Sequence, residues 1–249
     1  MATFNLSSPL AIEQTSDGYR YSIEPFLLVN FSNLSTGNHL LDIGTGCGII
    51  PLLASTQVAL GKIVAIEIQK SLYDLAVINM LKNGISGKVS LVHGDFTGWI
   101  LSSKDGLFDT IISNPPYRKL NTGRMNPNHE KAVARHEISM NLNSLLTKTS
   151  SLLKYGGALV MAYPPIRLKE VQETLCYHKL FPSRLRFIHG SREADARIFL
   201  IESVRSRQVE CVIEPPLFIY NKDGSYSKEM EKIYASFNYS SWAHNIQQE

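Results

Sequence analysis

An α/β fold with a doubly wound, mostly parallel sheet is predicted by three observations. Short apolar, β-branched runs alternate with amphipathic runs from about residue 38 to about 203, the connections are short, and a glycine-rich turn follows the first apolar run. Such alternation is what βαβ units produce, because parallel strands need a crossover and a helix supplies it. Seven strand-like runs are present, and the last two lie close enough to pair as a hairpin, which predicts an antiparallel edge strand.

In chain order, Asp17-Gly18 beside Tyr19 and Tyr21 reads as a hairpin turn, and Ser22 can cap a helix through Glu24 and Pro25 to Phe31. His39 to Ile43 is the first strand, stopped by glycines; Ile63 to Ile68 is β-branched and forms the second. Val89 to His93, Phe108 to Ser113 and Ala158 to Ala162 follow the same style. Leu72 to Leu81 carries apolar residues at helical spacing and ends near Asn83-Gly84; Ile138 to Leu153 does so ahead of Gly156-Gly157. A helix from about Pro165 to Lys179 precedes strands at Leu185 to Ile188 and Arg197 to Ile201. The final stretch holds Val209 to Ile213, Pro215-Pro216 and a helix from Ser227 to about Ser236. Residues 1–249 are expected to form a single domain, with 1–37 an N-terminal extension, 38–203 the core and 204–249 a C-terminal extension.

Hydrophobic residues make up 44% of the 249-residue chain and charged residues 19%, enough apolar surface for a core and no signature of disorder. The opening MATFNLSSPLAIEQ lacks a basic stretch followed by an apolar run, and no apolar run approaches the roughly 18 residues that span a bilayer. A cytoplasmic protein without membrane contact is the expectation. Cys47, Cys176 and Cys211 are odd in number and widely spaced, which suits neither a disulfide framework nor a zinc site, so reduced thiols and no metal are expected. A net charge of +3 does not announce a nucleic-acid partner, and any electrostatic argument must rest on local clusters.

The first strand runs into Asp42-Ile43-Gly44-Thr45-Gly46-Cys47-Gly48. Glycine at every second position leaves no Cβ to keep a ligand off the backbone. The spacing is G-x-G-x-G behind an aspartate, where a dinucleotide site would show G-x-G-x-x-G, so it points to S-adenosylmethionine. By itself such a turn also serves a tight strand-to-helix corner. Glu67, followed by Ile68, ends the second strand about 20 residues on, where an α/β nucleotide site keeps a carboxylate for ribose hydroxyls. Asp95 and Phe96 follow the third strand, and are expected to accept from the adenine amino group of the cofactor and to pack on its ring.

The fourth strand delivers Asn114-Pro115-Pro116-Tyr117, the most specific pattern in the chain. The lone pair of an adenine amino nitrogen is delocalised into the ring, so the nitrogen attacks only as it becomes tetrahedral. The Asn114 side-chain oxygen and the Pro115 carbonyl can each accept an amino hydrogen and favour that geometry. Consecutive prolines stiffen the turn, and Tyr117 can stack on a flipped-out base.

DIGTGCG, Glu67, GDF and NPPY together resemble a Rossmann-like class I methyltransferase acting on planar amino or amide nitrogens. GYRYSIEPFLLVNF at 18–31, ARHE at 134–137 and RFIHGSREADARIFLIES at 186–203 further resemble the transfer RNA adenine methyltransferases that modify valine transfer RNA beside the anticodon. Glu24 stands where many relatives are expected to carry aspartate. The resemblance implies S-adenosylmethionine as cofactor, S-adenosylhomocysteine as product, and adenine in RNA as acceptor.

From Arg118 to Arg135 the chain is polar, with Arg118, Lys119, Arg124, Lys131 and Arg135 against the single acid Glu130. A second basic set comprises Arg184, Arg186, Arg192, Arg197, Arg205 and Arg207. Phosphate contacts would explain both sets; solvated side chains beside Glu193, Asp195 and Glu202 would explain the second equally well. The loop residues and Arg192 are the expected contacts to RNA, with transfer RNA the expected partner and a monomer the favoured state. Three other readings stay open: a protein glutamine amide as acceptor, DNA adenine as acceptor, and a non-catalytic nucleic-acid-binding module. The short stretch ahead of the first strand argues against the glutamine enzymes, which resemble this core preceded by a helical domain.

Overall fold

The computed structural model describes residues 10–14, 22–101, 107–115, 141–207 and 209–237. At its centre lie β1 (His39–Ile43), β2 (Lys62–Glu67), β3 (Val89–His93), β4 (Phe108–Ser113), β5 (Leu153–Tyr163), β6 (Leu180–His189) and β7 (Ala196–Arg205), in the order β3-β2-β1-β4-β5-β7-β6. Strands β1 to β5 are parallel to their neighbours within that set, and β7 is antiparallel to both β5 and β6. Two short strands, β8 (Val212–Ile213) and β9 (Leu217–Phe218), pair with β6 and bring the sheet to nine. The antiparallel strand β7 therefore lies inside the sheet, between β5 and β6, and not at its edge. The chain leaves β6 through a short turn, where His189 Nδ1 meets the Ala194 carbonyl at 2.8 Å, and the returning strand pairs with β5, leaving the far side of β6 to β8 and β9.

Among the described residues the helices are α1 (Glu24–Phe31), α2 (Ile49–Gln57), α3 (Lys70–Lys82), α4 (Leu142–Leu152), α5 (Leu168–Tyr177) and α6 (Lys228–Ser236). Residues of α1, α2 and α6 share one apolar cluster with Leu40, Ile63 and Ile112; those of α4 and α5 share another with Leu41, Val64 and Ile111. Successive residues of a strand face opposite ways, so the two clusters are the two covered faces of the sheet. No described helix is long and apolar enough to cross a membrane.

The sequence pattern predicts no helix between Gly48 and the second strand, yet α2 stands there. Its first six residues are all buried, so no polar face gives it a helical period, and Pro51 falls in its first turn, where the missing N–H has no intrahelical acceptor to lose. Ser22 does not cap α1: its hydroxyl meets the Glu24 carboxylate, and Ile23 occupies the cap position. Helix α4 begins at Leu142, because the Asn141 side chain accepts from Ser144 N at 2.8 Å and caps it. Gly156 and Gly157, expected to end that helix, lie inside β5 instead. Gly156 has φ +82°, and a Cβ on Gly157 would come within 3.0 Å of the Phe108 and Asp109 carbonyls, beside an irregularity in the β4 pairing. The expected turn at Asp17-Gly18 lies outside the described residues.

Candidate active site

The parallel register brings four strand ends to one edge. Ile43 pairs with Ile66 and with Ser113, and Glu67 pairs with His93, so Gly44, Glu67, Gly94 and Asn114 follow one another along the carboxyl edge. Strand order reverses between β1 and β4, the position at which open α/β sheets receive ligands. Ser113 Oγ donates to the Ile43 carbonyl at 3.1 Å, tying the end of β4 to the base of the glycine turn. Asn114 is half-buried and Pro115 buried.

The turn itself is held from three sides. Gly44 N and Thr45 N donate to the Ile66 carbonyl at 2.9 and 3.0 Å, and Glu67 accepts Gly46 N on one carboxylate oxygen and Gln69 N on the other, both at 2.8 Å. From below, Asn79 of α3 donates to the Cys47 carbonyl at 2.8 Å. Gly44, Gly46 and Gly48 all have positive φ, the left-handed region that side chains disfavour. At Gly44 a Cβ would point into open space, whereas at Gly48 it would lie 2.6 Å from Met80 Cε, so the first glycine opens the surface and the last lets α3 pack close.

Two carboxylates stand beneath this turn. Asp42 is fully buried, and neither of its oxygens reaches hydrogen-bond geometry, although Thr45 lies beside it with its own hydroxyl unsatisfied. Burial, opposed by the Thr45 hydroxyl and helped by the Glu67 charge, pushes the Asp42 carboxyl up to about 7. Burial also raises Glu67, opposed by the backbone N–H groups it accepts. Buried acceptors without partners, next to a turn with open backbone, fit a ligand that brings donors and positive charge.

A family model for the methyltransferase small domain matches residues 24–174. The chain belongs to that family. Its curated relatives include the tRNA1(Val) (adenine(37)-N6)-methyltransferases of Porphyromonas gingivalis, 28% identical over 91% of each chain, and of Shewanella woodyi, 29% identical over 91% of this chain and 95% of that one. Among solved structures, a predicted O-methyltransferase from Agrobacterium tumefaciens superposes with a TM-score of 0.66 at 16% identity, covering 89% of this chain and 99% of that one, which shows the shared fold.

Within this methyltransferase domain several expected site residues take other positions. The Cys47 thiol is buried in the core, and burial pushes it up to about 12, so only the backbone of Cys47 is open to a ligand role. Phe96 is 4% exposed, with the Lys148 ammonium 5.5 Å from its ring centroid, so its face is not free to receive an adenine ring. Ile68, just past β2, is an apolar side chain 41% exposed at this end of the sheet. Asp95 is exposed and caps its own turn, accepting Thr97 N at 2.8 Å and Thr97 Oγ1 at 2.6 Å. Pro116, Tyr117 and the loop residues Arg118, Lys119, Arg124, Lys131 and Arg135 lie outside the described residues.

The second basic set divides. Arg184 binds Glu202 at 2.6 Å, Glu214 at 2.9 Å and the Phe31 carbonyl; Arg186 binds Glu229 at 2.6 Å and the Pro215 carbonyl; Arg205 donates to the Leu153 carbonyl. These three hold the molecule together and are not phosphate contacts. Arg205 and Arg207 lie at or beyond the end of β7, the strand that runs away from the site edge. Arg192, in the β6–β7 turn, and Arg197, at the start of β7, stay exposed at that edge.

Two supporting residues escape the sequence pattern. Asn79 is a polar residue on the buried stripe of Leu72, Ala76 and Met80, and that mismatch was its signal. Lys148 donates to the Thr97 carbonyl at 2.9 Å and to the Trp99 carbonyl, pinning the turn that carries Asp95; nothing in its sequence context marks it.

Proposed function

We propose that this methyltransferase acts on the exocyclic amino nitrogen of an adenine in transfer RNA, using S-adenosylmethionine. The observation that carries the reading is that Asn114 and Pro115 follow β4 directly beside the glycine turn of β1, at the reversal of strand order. The choice of adenine and transfer RNA is supported by the relatives, which carry that activity in their names over nine-tenths of this chain.

The bound cofactor supplies an electrophilic methyl group on a positively charged sulfur. Glu67 keeps a lone pair on each oxygen beyond those used by Gly46 and Gln69, enough to accept the ribose hydroxyls, and Asp95 offers the same toward the adenine amino group. Asp42 and Glu67 form a negative floor under the turn that favours a cationic ligand. Asn114 Oδ1 and the Pro115 carbonyl each accept one hydrogen of the target amino group, which drives the nitrogen toward tetrahedral geometry. They then stabilise the positive charge it gains until one hydrogen leaves as a proton.

Methyl transfer from labelled S-adenosylmethionine to bulk transfer RNA, followed by nucleoside analysis, tests the reading. N6-methyladenosine is the expected product. Label appearing in a protein fraction and not in RNA would put the glutamine amide in its place.

A further inference from the structure

Beyond residue 174, the last matched by the family model, the C-terminal part of the chain builds a depression of about 530 Å³. Its walls are the β6–β7 turn, β9 and the start of α6. The Arg192 guanidinium sits 4.9 Å from the centroid of the Phe218 ring, and His189 packs on that ring at 5.3 Å. The acids of the depression are answered: Glu193 by Lys222 at 3.4 Å, and Glu229 by Arg186 at 2.6 Å. Arg192 and Lys228 remain exposed, with no acidic partner among the described residues.

The depression lies on the site edge. Because β7 opposes both β5 and β6, β6 runs the same way as β4, and Phe218 pairs with His189 at the carboxyl end of β6. From β4 across β5, β7 and β6 to β9 is four strand spacings, about 19 Å at about 4.8 Å each. Stacked nucleotides advance about 3.4 Å along a strand, so that span is about five to six nucleotides, or fewer in an extended chain.

We propose that this depression is a second RNA subsite, which holds a nucleotide of the substrate strand several positions from the target adenosine. The Phe218 ring seats the Arg192 guanidinium so that its outer face can stack a base or fork a phosphate, and Lys228 takes a neighbouring phosphate. The inference rests on the RNA reading above.

The test is the double variant Arg192→Ala/Lys228→Ala, both positions exposed, assayed on transfer RNA and on a trinucleotide with a central adenosine, too short to reach the depression. For transfer RNA, KM is expected to rise about tenfold or more with kcat unchanged, and the salt dependence of KM to flatten by about 0.7 in log–log slope if Arg192 stacks a base and about 1.4 if it also holds a phosphate. Trinucleotide methylation and cofactor affinity are expected to stay at the wild-type level. Arg192→Lys with Lys228 intact is expected to keep the salt slope and to raise KM by less than the double variant does. Wild-type KM and slope in the double variant overturn the subsite, as does an equal loss on the trinucleotide. A wild-type protein that methylates no RNA overturns the underlying reading and the subsite with it.

Discussion

At the scale of single residues, Asn114 and Glu67 separate two kinds of binding energy. Asn114 acts on a group whose geometry changes during reaction, so Asn114→Ala is expected to lower kcat by roughly two to three orders of magnitude, the scale for one transition-state hydrogen-bonding group. Cofactor affinity, measured by calorimetry, should hold within about twofold; equal losses in both would remove Asn114 from the chemistry. Glu67 already accepts two backbone N–H groups, and Glu67→Gln turns an amide donor toward one of them. Its cofactor affinity is expected to fall by about 1–3 kcal/mol because the amide NH2 cannot accept a ribose hydroxyl, with kcat at saturation little changed. An unaltered dissociation constant would take Glu67 out of the site. The placement of Asn114, Glu67 and the glycine turn at one edge is legible because each follows or ends a short apolar strand, and strand ends in one parallel sheet share an edge. Phe96 was misplaced because a strand-end aromatic has the same sequence context whether its ring faces a ligand or the core; the Lys148 ammonium over it comes from a helix some 50 residues away.

At the scale of elements, the glycine turn depends on α3 and on the stretch 10–14 that lies along it. The Asn79 side chain exchanges hydrogen bonds with Glu13, accepting its N–H at 2.7 Å and donating to its carbonyl at 3.1 Å, while also donating to the Cys47 carbonyl. Ala11 and Asn83 make a similar exchange, and Lys82 meets Glu13. One buried amide thus brackets the N-terminal stretch, the helix and the cofactor turn. Asn79→Ala leaves the buried Cys47 carbonyl unanswered, at a cost of about 1–3 kcal/mol of local stability, and releases the part-buried Glu13 N–H and carbonyl. The expected result is faster proteolysis near residues 10–14 together with a raised cofactor dissociation constant, which added cofactor partly reverses. Faster cleavage with an unchanged dissociation constant would show that the bracket stops short of the turn. Elements were legible where burial has a period: α3 and α6 carry polar faces, while α2 is apolar through its first six residues and hides as a continuous run. The insertion of β7 beside β5 is not written in either strand, because which of two later strands pairs with β5 is chosen by packing across the sheet.

At the scale of the whole molecule, Asp42 links folding, pH and cofactor. Its carboxyl sits near about 7 in the folded chain against about 3.9 in an unfolded one, because burial favours the neutral acid. A raised carboxyl gives stability that is fully present below the unfolded value and is lost as pH rises through about 7, where the folded protein must hold an unpartnered buried charge. The apo protein is therefore expected to lose melting temperature between pH 6 and pH 8 through this group. A cationic ligand reverses the balance, since it favours the ionised carboxylate, so cofactor affinity should climb across the same interval with release of a proton. Thermal unfolding with and without saturating S-adenosylmethionine at the two pH values checks both halves: the ligand-induced rise in melting temperature should be larger at pH 8. Asp42→Asn, neutral at every pH, should raise apo stability at pH 8 and make the ligand-induced rise independent of pH. A rise that grows with pH equally in the variant would assign the effect to another group, with Glu67, also raised by burial and bound to the same turn, the first to examine.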